Sequence, residues 1–143
     1  MLAVLAIGCD ASAGSKTSAL TVKNTCVATD DMLTMHALFD VNYTKATDGP
    51  YRSRQVFSLA CQKDDCAGVW LRLGNVDKGR PLEALDVVVV DGASVASRTG
   101  DVVTIKWGPL RLFTIDFARG VVSYVESGDG LYGRAETKCP AKW

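Results

Sequence analysis

The sequence predicts an all-β fold, a small antiparallel up-and-down barrel of about eight strands, with a β-sandwich as the alternative. Three observations carry that expectation. Apolar residues recur with a period of two rather than the helical period. Turn signals return about every eight to twelve residues. Thirteen Asp stand against three Glu, an imbalance that suits turns and caps rather than helices.

Leu33, Met35, Ala37, Phe39, Val41 and Tyr43 alternate with Thr34, His36, Asp40 and Asn42, as a half-buried strand requires, and Leu38 alone breaks the pattern. Thr47-Asp48-Gly49-Pro50 turns the chain, and Val56 to Cys61 returns it. From Cys66 to Leu73, the residues Ala67, Val69, Leu71 and Leu73 form an apolar side, which leaves Trp70 and Arg72 on the polar side. Asn75 to Pro81 reads as a loop, and Pro81 is placed to start a single helical turn over Arg80 to Asp86. Leu85 to Val90 reads as a buried strand closed by an Asp91-Gly92 turn. The last third is a meander. Val103, Ile105 and Trp107 alternate up to Gly108-Pro109, and Phe113, Ile115 and Phe117 up to Arg119-Gly120. Val121 to Glu126 then runs to Ser127-Gly128-Asp129-Gly130, and a final strand runs from Leu131 to Cys139. Consecutive short hairpins favour the barrel, because closure removes exposed edges.

The N-terminus carries an export signature. Met1 to Gly8 is a short apolar run whose end, Ala6-Ile7-Gly8-Cys9, resembles a bacterial lipobox with Cys9 as the lipidated residue, while Ala11-Ser12-Ala13 fits an ordinary signal-peptidase cut. The first basic residue is Lys16, so the basic n-region of a full signal is missing and the true start is expected upstream of Met1. Residues 1–18 are accordingly read as export signal and tether, and 19–143 as a single β-rich domain. The expected location is periplasmic, secreted, or on a membrane held only by a lipid anchor at Cys9. A bilayer-spanning helix needs about twenty apolar residues, and no stretch approaches that.

Cysteine usage agrees with an oxidising compartment. Setting Cys9 aside, Cys26, Cys61, Cys66 and Cys139 form an even set that reads as two disulfides, with three connectivities open. Cys61 and Cys66 bracket Gln62-Lys63-Asp64-Asp65 between two apolar runs and would face each other across a hairpin, leaving Cys26 and Cys139 to join the ends of the domain. Neither a C-x₂-C pair nor a histidine at ligand spacing accompanies them, so no metal and no cofactor is expected.

Sixteen basic and sixteen acidic residues cancel and are scattered, which argues against a nucleic-acid groove or a surface for anionic membranes. Gly128-Asp129-Gly130-Leu131-Tyr132-Gly133 matches G-x-G-x-x-G, but a dinucleotide fold needs a helix and a parallel strand after it, so a glycine-rich hairpin turn is the reading. Asn75 to Gly79 begins like a calcium loop, yet Arg80 stands where that loop needs glycine. Asn42-Tyr43-Thr44 is a glycosylation acceptor triplet. His36, the single histidine, falls on the polar side of its strand with no nucleophile motif to serve, so no catalytic residue is assigned. Asp30, Asp31, Asp64, Asp65, Asp116 and Glu126 supply carboxylates for a hydrolase, if two of them converge.

What remains is a binding surface. Tyr124, Tyr132 and Arg134 are read on the polar side of the last hairpin, and Trp70 and Arg72 on the polar side of an earlier strand, all residue types that dominate interface hot spots. The bland alternative is that the aromatic residues cover one end of the core with their polar atoms wet. The Ser127 to Arg134 loop is the first choice for contact. The function expected is thus an exported β-barrel binding module of the cell envelope, possessing no catalytic activity and engaging an envelope or extracellular protein or a small ligand. Its outline of export signal, compact antiparallel barrel and disulfides is similar to that of periplasmic bacterial lysozyme inhibitors, a likeness of architecture rather than of motif. A small secreted hydrolase using a carboxylate pair is the alternative, and a structural envelope protein comes third.

Overall fold

Strand alternation decides which side chains enter the core, and the register between neighbours decides which of them meet. The computed structural model describes residues 23–47, 49–76 and 86–142. Among these, the regular elements are ten strands: β1 (Thr25–Ala28), β2 (Met32–Lys45), β3 (Tyr51–Gln62), β4 (Asp65–Asn75), β5 (Asp86–Thr99), β6 (Val102–Trp107), β7 (Arg111–Asp116), β8 (Val121–Gly128), β9 (Leu131–Lys138) and β10 (Ala141–Lys142). From β2 to β9 each strand pairs antiparallel with the next, and β9 closes on β2 through Gly133↔Tyr43 and Arg134↔Asn42. The result is the closed eight-stranded antiparallel barrel, with β1 and the two-residue β10 outside it.

Closure is shared between two partners. β9 meets β2 only at its Tyr43 end, and β1 covers the other half through Cys26↔Met35 and Ala28↔Leu33. β10 then adds in parallel to β1, Ala141 opposite Cys26. The Cys26–Cys139 disulfide ties this outer pair together, and Cys61–Cys66 bridges directly opposed residues at the β3–β4 hairpin. The connectivity read from the hairpin therefore holds.

The interior is filled by aromatic rings. Phe39, Phe57, Phe113 and Tyr124 are fully buried with ring centroids 4.8–6.4 Å apart, and Phe57 stacks on Trp70 at 5.6 Å. Each such side chain contributes about 1.5–3 kcal/mol of burial. Leu33 through Tyr43 alternate into this core as the sequence predicts, and Leu38 sits on the outside.

Two expectations are corrected in β4 and β5. Trp70 and Arg72 lie on the inward parity, because Phe57 is directly opposite Trp70 and Gln55 opposite Arg72. Val69 and Leu71 face outward instead, against Val89 and Val87, and an irregularity between Arg54 and Gln55 accommodates the extra residue Leu73. Leu38, Val56, Leu71 and Val87 make a cross-strand apolar row on the outer wall, which imitates a core face when the sequence is read one strand at a time. The second correction is Asp91-Gly92, which does not turn the chain. Those two residues oppose the single Ala67 as a bulge inside β5, with Gly92 at φ 78°, and Val87 and Val89 are 62% and 73% exposed. The Asn75 to Pro81 loop from Asp77 on, the Arg80 to Asp86 helical turn before Asp86, and the whole 1–18 segment with Cys9 lie outside the described residues.

Candidate functional site

The two ends of the barrel differ in chemistry. One carries the turns at 29–31, 63–64, 100–101 and 117–120, and with them Asp30, Asp31, Asp64, Asp65, Asp101 and Asp116. The other end, the mouth, carries aromatic rings and arginines.

Register builds the mouth. Trp107 on β6 is opposite Arg111 on β7, Arg111 is opposite Glu126 on β8, Glu126 is opposite Gly133 on β9, Gly133 is opposite Tyr43 on β2, and Tyr43 is opposite Tyr51 on β3. One cross-strand row thus runs most of the way round the barrel. Gly133 is the gap in it: a Cβ there would lie 2.5 Å from the Tyr43 ring, so only glycine lets Tyr43 lean across β9 to Glu126.

Glu126 organises the row. Its Oε1 accepts from the Tyr43 hydroxyl at 2.7 Å and the Tyr124 hydroxyl at 3.0 Å, and its Oε2 pairs with Arg111 Nη2 at 3.2 Å. The Gln55 amide donates to the Tyr43 hydroxyl at 2.9 Å and to Ser53 Oγ at 3.3 Å, while its Oε1 accepts from the Trp70 indole at 2.8 Å. Glu126 is 5% exposed and Gln55 fully buried, so an unmet partner in this chain would be costly, and each acceptor is met. Burial holds the Tyr43 and Tyr124 hydroxyls far above the ordinary tyrosine range, and the adjoining Glu126 carboxylate pushes them further the same way.

The arginine is held by ring faces as well as by charge. The Arg111 guanidinium lies 4.9 Å from the Trp70 ring centre and 4.8 Å from that of Trp107, and those two indoles meet edge to face. Its Nε is buried without a hydrogen-bond partner, a cost that the ring contacts and the Glu126 pair offset. Arg72 reaches the edge of the same cluster, 5.8 Å from the Trp70 ring centre, and bridges Asp86 at 3.1 Å in an exposed position. Between them opens a cavity of about 260 Å³, lined by Tyr43, Tyr51, Gln55, Arg72, Arg111 and Leu131 among others.

A larger hollow of about 480 Å³ lies beside Cys66 on the outer wall, lined by Met32, Gln62, Asp65 and Asp91 with small residues between. It holds no buried charged group and no aromatic ring. The smaller mouth cavity is therefore the candidate site, because its polar groups are fixed in place by their neighbours.

Of the residues singled out from sequence, the fold brings Trp70 and Arg72 together at the mouth. Tyr124 does not join a surface: it is fully buried beneath Glu126, because Val122, Tyr124 and Glu126 share the inward parity of β8. Tyr132 is half-buried and Arg134 exposed, both on the outward parity of β9, next to Leu131 at the rim. The Gly128–Gly133 stretch forms the β8–β9 hairpin, with Gly130 at φ 69° in its two-residue turn. His36 is exposed on the outer wall. Asp116 receives the Arg119 backbone N–H at 3.0 Å in the β7–β8 turn, at the opposite end from Glu126, and Asp129 is exposed at the hairpin tip. Among the described residues no His, Cys, Asp or Glu group is arranged to hold a metal. Tyr43, Tyr51, Ser53, Gln55, Trp107 and Arg111 were not anticipated. Their signal was present, since Ser53, Gln55 and Glu126 are polar residues on parities otherwise occupied by Phe57 and Tyr124.

These features define a small closed β-barrel with an arginine and tryptophan pocket at one mouth. Compared with protein-family models, with curated proteins and with solved structures, the chain matches none.

Proposed function

We propose that the protein is an exported binding module of the cell envelope that performs no chemistry and seats its partner on the mouth of the barrel, with the Ser127–Arg134 hairpin as rim. The observation that carries this reading is the preorganised network at the mouth: Glu126, Gln55 and the tyrosines are committed to one another, while an open cavity remains beside Arg72 and Arg111. A buried carboxylate whose oxygens are occupied is poorly placed to move protons, whereas rigid aromatic and arginine groups suit recognition. The two disulfides are compatible with export into an oxidising space. In this reading Cys9 carries the lipid anchor, and the partner is an envelope or extracellular protein in the manner of an inhibitor.

Capture from envelope extract tests it. Trp107→Ala, Tyr132→Ala and Arg134→Ala are expected to weaken retention of the partner by about 1–3 kcal/mol each, the range of hot-spot truncations, and Arg119→Ala at the far end to leave it unchanged. Loss with Arg119→Ala alone would refute the placement of the site.

A further inference from the structure

At the mouth the buried acceptors are each engaged, while donors remain. Both Glu126 oxygens, the Gln55 Oε1 and the Ser53 Oγ already accept hydrogen bonds. Arg111 spends Nη2 on Glu126, and Arg72 spends Nη2 on Asp86, which leaves further guanidinium N–H groups at both residues, and both line the cavity together with Tyr51. The aromatic cage of Trp70 and Trp107, which would otherwise attract a cation, is filled by Arg111 itself. Formal charges of Arg72, Arg111, Asp86 and Glu126 cancel, but the two carboxylates differ in standing. Glu126 lines the cavity but is only 5% exposed, and its two oxygens already accept three hydrogen bonds. The Arg72–Asp86 bridge is exposed, with both side chains more than two-fifths accessible, and so exchanges readily for another anion.

We propose that the mouth is a carboxylate receptor, in which one carboxylate enters the cavity and accepts hydrogen bonds from Arg72, Arg111 and the Tyr51 hydroxyl. This rests on reading the mouth as the binding site and names what it binds. The cavity of about 260 Å³ falls just below the size of pockets for drug-sized molecules, so it takes a single acidic side chain, a chain-terminal carboxylate or a small free acid. Guanidinium and carboxylate are matched in geometry, each a planar fork.

The test is a titration of the full chain, read by NMR at the Trp70 and Trp107 indole N–H resonances. The probes are N-acetylglutamate, its uncharged diamide N-acetylglutaminamide, tetramethylammonium, and a short peptide without acidic side chains ending in a free carboxylate alongside its amide. The expected result is saturable shifts with N-acetylglutamate and the free-ended peptide, binding at least about tenfold weaker for the two amides, and none for tetramethylammonium. Arg72→Gln, a change at an exposed side chain, should weaken the carboxylate probes by about tenfold. Tighter binding of the peptide than of the free acid assigns the source to a protein partner, and equal or weaker binding assigns it to a small acid. Equal affinity for acid and amide, preference for the ammonium, or an unaltered Arg72→Gln overturns the inference. If no probe binds while Trp107→Ala still weakens capture, the carboxylate assignment falls and the binding function stands. If the carboxylates bind but capture ignores every mouth variant, the binding function falls and the receptor remains.

Discussion

Glu126 is the residue on which the mouth depends, since three hydrogen bonds from β2, β7 and its own strand converge on its carboxylate. Glu126→Gln removes the charge that Arg111 faces and sets an amide donor against either the two hydroxyls or the Arg111 guanidinium, whichever way the amide turns. Breaking a buried pair by removing one partner costs about 3–5 kcal/mol, reduced here because the Arg111 side chain is 21% exposed. A loss of about 2–3 kcal/mol is expected in urea denaturation. An unchanged midpoint would mean that the pair contributes nothing. The residues of this site were half legible. Glu126 shares its parity with Tyr124 and Val122, a face that the sequence assigns to the polar side through Tyr124 and that the fold turns inward. The sequence holds no sign that Gly133 would sit opposite both Glu126 and Tyr43, because that depends on where β9 meets β2.

At the scale of elements, hairpins read well and bulges read badly. β2, β6, β7 and β9 follow their alternation and their turns, since each turn is local and each strand one face in, one face out, whereas β8 keeps its turns but carries Tyr124 inward. β4 and β5 defeated the reading because their outer wall is apolar and because Asp91-Gly92 has the same composition as a turn. Local sequence cannot distinguish a glycine at positive φ in a bulge from one in a hairpin. β1 is joined to β2 by a hairpin, and the Cys26–Cys139 disulfide ties it to the chain that follows β9. The chain-entropy model assigns about 5 kcal/mol to the Cys26–Cys139 closure across 113 residues and about 2 kcal/mol to Cys61–Cys66 across 5. Cys26→Ser with Cys139→Ser is therefore expected to lower the melting temperature well beyond Cys61→Ser with Cys66→Ser. The reverse order would show that the short bridge stabilises the native hairpin itself.

For the whole molecule, closure was legible from period and spacing, while the inward placement of Trp70 and Tyr124 and the position of the site were not, because the site arises where six strands arrive in one row. That row also fixes how stability responds to alkali. Tyr43, Tyr124 and, more weakly, Tyr51 hold their protons above the ordinary tyrosine range, chiefly because burial disfavours the phenolate. The unfolded chain releases those protons near pH 10 and the folded one does not, so their contribution is complete below about pH 10 and is lost as pH rises beyond it. Melting temperature should fall steeply in that window, with the phenolate absorbance of Tyr43 and Tyr124 emerging together with unfolding. Phenolate absorbance from both residues ahead of unfolding would contradict their burial.

Placement of the partner on the mouth is the claim on which the functional reading turns, and hydrogen–deuterium exchange of the captured complex against the free protein tests it most directly. The expected result is slowed exchange at backbone amides around Tyr51–Ser53, Arg72–Gly74, Gly108–Arg111 and Gly128–Tyr132, the segments that frame the cavity. Protection confined to the opposite turns at 29–31, 63–64 and 117–120, with the mouth unchanged, would contradict it.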